Sequence, residues 1–180
     1  MSLFHAREWW LHQLGFNETF SDGALTVGKL STSSEEASKI ITGSLQGRLR
    51  VHGPTSRGSD LGTSLLLESQ LDAPILQLIL LLEHGETHTN SLVVLHPRKL
   101  VMYAFGLHRP SRDLLCSVSR VKPKMLILHS HQFDQAVPHF IAFSMCSGPY
   151  GGRNYDVVLV QSIDGFIIIF DRDVCCSNFE

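Results

Sequence analysis

The 180 residues contain no run of five like charges; 15 Lys and Arg and 17 Asp and Glu are scattered along the chain, leaving a formal charge of −2. A nucleic-acid footprint or a polybasic membrane patch needs clustered cations, so no nucleic-acid partner is expected. Cysteine is scarce, and Cys116, Cys146, Cys175 and Cys176 follow no CxxC spacing. That excludes a zinc knuckle or a disulfide framework and favours a reducing compartment. Apolar runs go no further than Leu78-Ile79-Leu80-Leu81-Leu82, far short of the roughly 20 residues a membrane-spanning helix needs. The opening Met1–Glu8 is charged within seven residues and lacks the apolar stretch of a secretory leader, so the chain reads as soluble and intracellular. Also missing are the GxSxG elbow, the P-loop and GxGxxG. No catalytic constellation, cofactor or small-molecule substrate is expected.

What is present is a repeated hairpin. Ile40–Ser44, a turn at Leu45-Gln46-Gly47 and Arg48–His52 form the first copy. Leu92–Leu95, His96-Pro97-Arg98 and Lys99–Tyr103 form the second; Val157–Gln161, Ser162-Ile163-Asp164-Gly165 and Phe166–Phe170 form the third. The copies stand about 50 to 65 residues apart, a spacing that marks the blades of a β-propeller. Ahead of the second copy, Ser64–Leu71 and Ile75–Leu82 read as two further strands around Asp72-Ala73-Pro74. Ahead of the third, Lys124–His131 and His139–Cys146 do the same around Asp134 and Pro138. Each unit thus counts four strands. In the first unit Ala24–Leu30 precedes the hairpin, and the missing partner must come from the first twenty residues or elsewhere. Ser31–Ser38, Gly53–Thr63, Gly106–Pro123 and Ser147–Asn154 read as loops. The expected fold is all-β: a partial β-propeller of about three blades, an open arc of four-stranded antiparallel sheets. With 43% hydrophobic residues the chain holds enough apolar surface for one domain.

Ten histidines invite a metal reading. His84 and His88 lie four apart, but Gly85, Thr87 and Thr89 argue against the helix that spacing needs, leaving a solvated loop. His129 and His131 alternate on a predicted strand and share one face, and His139 at the start of the next strand could join them as zinc ligands. The runner-up function is therefore a metal-dependent enzyme using these strand histidines. The plainer reading makes them half-buried polar residues on the less apolar face of a blade. Asp164, before Gly165, is a turn residue first and a carboxylate catalyst second. Cys175 and Cys176 are two thiols with no partner pattern. Trp9 and Trp10 on a strand would face opposite sides, so one is a candidate interface anchor, unless both pack on the first blade.

Five stretches in register carry a family resemblance. They are Met1-Ser2-Leu3-Phe4-x-Ala6-Arg7-x-Trp9-Trp10; Lys39-Ile40-Ile41-x-Gly43-Ser44-x-x-Gly47-x-Leu49-Arg50; Leu65-Leu66-Leu67-Glu68-x-x-Leu71-x-x-Pro74-x-Leu76-Gln77; Val94-Leu95-His96-x-Arg98-Lys99-Leu100; and Gln161-Ser162-x-Asp164-Gly165 leading to Phe170. Together they resemble the amino-terminal propeller region of the Bardet–Biedl syndrome protein nine family, the parathyroid-hormone-responsive subunit of the BBSome. The resemblance implies a non-catalytic scaffold, present here in truncated form, in a coat-like complex that carries membrane proteins into and out of the primary cilium. It implies other BBSome subunits as partners and peripheral association with the ciliary membrane. It also implies residence in the cytoplasm, centriolar satellites and primary cilium. Residues 1–173 then form an incomplete propeller, and 174–180 a tail unlike the family. An arc of three blades leaves apolar faces and strand edges uncovered, so an aggregation-prone or chaperone-bound chain is expected.

Overall fold

The computed structural model describes residues 11–30, 37–57, 60–81, 90–107 and 123–171. Those residues are all-β, with a single 3-10 turn at Phe133–Gln135. The first sheet has the order β1 (Leu25–Gly28), β2 (Lys39–Gly43), β3 (Arg48–Arg57) and β4 (Asp60–Gln70). The second runs β5 (Gln77–Leu81), β6 (Ser91–Leu95), β7 (Lys99–Leu107) and β8 (Pro123–Gln132). The third has three strands, β9 (Ala142–Pro149), β10 (Asp156–Ser162) and β11 (Ile167–Phe170). Every pairing within them is antiparallel. The three sheets stand one behind another as an open, propeller-like arc.

The three hairpins form as the turn residues dictate. Gly47 closes the first at φ +82°, and a Cβ there would meet the Leu71 and Ala73 carbonyl oxygens at 2.7 and 2.9 Å, so glycine is required twice over. Gly165 closes the third at φ +85°, with Ser162 N–H donating to the Phe166 carbonyl.

The blade boundaries differ from the sequence expectation by one strand. Ser64–Leu71 belongs to the first sheet, not the second: β4 pairs with β3 from Arg48↔Gln70 out to Arg57↔Asp60, and this is the first unit's missing partner. Lys124–His131 likewise completes the second sheet by pairing with β7. Asp72-Ala73-Pro74 is therefore a step between sheets. Its flanks are stitched to both sides, with Leu71 N–H donating to Gly47 and Ile75 N–H to Ser44 on the first sheet, and Leu76 N–H to Leu95 on the second. A short polar link between two apolar runs looks the same in sequence whether it turns a hairpin or crosses to a new sheet. The loop expected at 53–63 is corrected too. β3 and β4 run on through most of it as a two-stranded ribbon beyond the end of β2, where Pro54 costs no central ladder bond. β9 also runs through Gly148 to Pro149, leaving Gly151 and Gly152 at positive φ for the turn.

Two apolar layers hold the arc. Ile41, Leu49, Val51, Leu92, Val94, Val101 and Tyr103 fill the space between the first and second sheets. Val93, Leu95, Leu100, Phe133, Phe140, Met145, Val158 and Val160 fill that between the second and third. All five residues of β6 are buried, because Leu92 and Val94 face one layer while Val93 and Leu95 face the other. That is why β6 reads as an unbroken apolar run rather than an alternation. Near the axis the first strands lie side by side: β1 packs on β5, and β5 on β9. Leu78 N–H donates to Gly23, and the Gln77 side chain both donates to and accepts from the Met145 backbone at 2.7 Å.

Candidate interaction surfaces

Among the described residues the third sheet has one covered face and one open one. Register sets Met145, Val160 and Ile168 in one row and Ser147, Val158 and Phe170 in another, both turned toward the second sheet. The opposite face carries the rows Cys146–Leu159–Ile169 and Ser144–Gln161–Ile167. Phe143, extra at the bulge opposite Gln161/Ser162, is 67% exposed, Ile167 63% and Ile169 44%. Among the described residues β11 is an edge strand, whereas the corresponding third strands β3 and β7 are each paired again, by β4 and β8. An apolar sheet face beside an unpaired edge is a surface built for contact with more polypeptide.

The first sheet ends differently. Across its outer face run Leu25–Thr42–Arg50–Glu68 and Val27–Ile40–His52–Leu65. Residues 11–22 cross this face as a strap. Glu18 accepts two bonds from the Arg50 guanidinium, at 2.6 and 2.8 Å, and a longer one from Arg48 at 3.3 Å. Both partners are nearly excluded from water, at 7% and 6% side-chain exposure. The hydrogen bond from Arg50 holds the Glu18 carboxyl below its ordinary range, and Glu18 in turn raises Arg50. His12 on the strap meets the His52 ring edge-on at 5.7 Å. Burial first, then the neighbouring His12, pushes His52 below the usual histidine value.

The three strand histidines do not converge. His129 and His131 share a face of β8 as expected, but β9 starts at Ala142, and His139 is exposed in the preceding turn at φ +65°. Among the described residues no three His, Cys, Asp or Glu side chains gather as ligands. Nor does His131 lie on the less apolar face. It packs edge-on against Phe170 at 5.0 Å and beside Phe133 at 6.1 Å, with Nε2 buried and without a hydrogen-bond partner. Burial lowers its pKa, helped by His129. Asp164 is exposed at the corner of the β10–β11 hairpin. Trp9, Trp10, His84, His88, Cys116, Cys175, Cys176 and the 174–180 tail lie outside the described residues.

One histidine that sequence reasoning passed over proves structural. His96 is fully buried, and its Nδ1–H donates to the Pro74 carbonyl at 2.7 Å, tying the inter-sheet step to the second hairpin. The Nε2 lone pair is left unpartnered, and burial holds the ring neutral by lowering its pKa. An open groove of about 320 Å³ beside it is lined by Ala73, Pro74, Pro97, Arg98, Lys99 and Gln132. Its cations are already matched, Lys99 to Asp72 at 2.6 Å and Arg98 to Asp134 at 3.2 Å. The groove brings together no nucleophile and base.

Compared with known proteins, residues 1–180 match the family model described as PTHB1 N-terminal. Protein PTHB1 of Xenopus laevis is 35% identical over 178 residues, which is 96% of this chain and 20% of that protein. Protein PTHB1 of Mus musculus is 33% identical over 178 residues, and that of Homo sapiens 32% over 179, each match covering 96% of this chain and 19% of the relative. The chain spans about a fifth of the length of the curated relatives it matches.

Proposed function

Since this chain belongs to the PTHB1 N-terminal family, we propose that it supplies the opening three blades of a β-propeller in a non-catalytic scaffold subunit of the BBSome. In this reading it supports trafficking of membrane proteins to the primary cilium, and ciliogenesis. Its partners are the other BBSome subunits, its contact with the ciliary membrane is peripheral and made through the complex, and it resides in the cytoplasm, centriolar satellites and cilium. The observation that carries the reading is the third sheet's open face, where Phe143, Ile167 and Ile169 are exposed beside a strand edge that is unpaired among the described residues. A protein whose task ended with these three sheets would gain nothing from that surface; a propeller whose next blade packs there would bury it.

The test is co-precipitation of the tagged chain from ciliated cells. Recovery of BBSome subunits, lost on the double substitution Ile167→Lys/Ile169→Lys, is the expected result. Failure to recover any subunit with the unsubstituted chain, while it is soluble and expressed, would contradict the proposal.

A further inference from the structure

We draw no further inference here: the strongest candidate, the outer strand β8 of the second sheet, where Leu126, Ile127 and Leu128 are exposed along an edge that no other strand pairs among the described residues, carries nothing because nothing in the structure shows what covers it.

Discussion

The arc ends in two faces that solve the same problem in opposite ways. On the first sheet the terminal face is polar at its centre, and the chain covers it with its own strap through the Glu18–Arg50 pair. On the third sheet the terminal face is apolar, with Leu159, Ile167, Ile169 and Phe143 on it, and among the described residues nothing covers it. A buried ion pair is costly to uncover but drives no association, because each charge is already matched. An exposed apolar face has the reverse character: stable enough alone, yet favoured whenever something packs on it, by roughly 25 cal/mol per Å² buried. The two ends therefore differ in kind: the first is closed in cis, and the third, among the described residues, is left open.

Four substitutions or conditions break or sharpen that contrast. The largest effect is expected at Phe133→Ala. This ring is fully buried between the second and third sheets, against Phe140 at 4.8 Å, and its loss costs about 3–5 kcal/mol. Urea denaturation followed at the third sheet measures it; a loss below 1 kcal/mol would mean that the sheet is not held through this layer.

Arg50→Met follows, with a loss of at most about 3 kcal/mol, because the strap can lift and return Glu18 to water rather than strand it. Proteolysis should then cut within residues 11–22 in the variant and spare the wild type. Unchanged protection would show that the strap is held by something other than the ion pair.

Acid comes third. His52, His96 and His131 all have folded pKa values lowered from the ordinary 6.5, chiefly by burial. The native state thus binds fewer protons than the unfolded one. The stability this represents is complete above 6.5 and is lost as pH falls through 6.5 toward the lowered values. A second loss begins below the ordinary carboxylate value of 4.5, where the unfolded chain's Glu18 binds a proton that the folded Glu18, held lower by Arg50, does not yet bind. Melting temperatures across that range should decline toward acid, and His131→Leu should flatten the first step. A melting temperature that rises from pH 7 to 5 would reverse the sign and refute the reading.

The smallest effect on stability, within about 0.5 kcal/mol, is expected for Ile167→Lys/Ile169→Lys on the open face. The same pair should lower light scattering of the purified chain markedly, since it removes exposed apolar surface of the kind that drives self-association. Scattering that does not change would place self-association elsewhere.

How far the sequence reveals these features depends on their range. The hairpins are local, so Gly47, Pro97 and Asp164-Gly165 announce them, and the structure has strands on either side of each. The apolar character of β6 is also local, and shows it to be buried on both sides. The grouping of strands into sheets is not local: Asp72-Ala73-Pro74 turns no hairpin, and only the pairing of β3 with β4 reveals it. Arg50 and Glu18 lie 32 positions apart with no periodic pattern between them, and neither residue stands out from its neighbours. The same holds for His96, whose role follows from a carbonyl 22 positions away. His129 and His131 show the converse error. Alternation placed them correctly on one face, but could not say that His131 would meet Phe133 and Phe170 rather than His139.

The most direct test uses Cys146, an exposed free thiol in the Cys146–Leu159–Ile169 row of the third sheet's open face. Site-resolved maleimide labelling would compare the isolated chain with the chain recovered from ciliated cells in its native assembly. Labelling of Cys146 slowed at least about tenfold in the assembly is the expected result. Equal labelling in both states would contradict the claim that this face is where the scaffold continues.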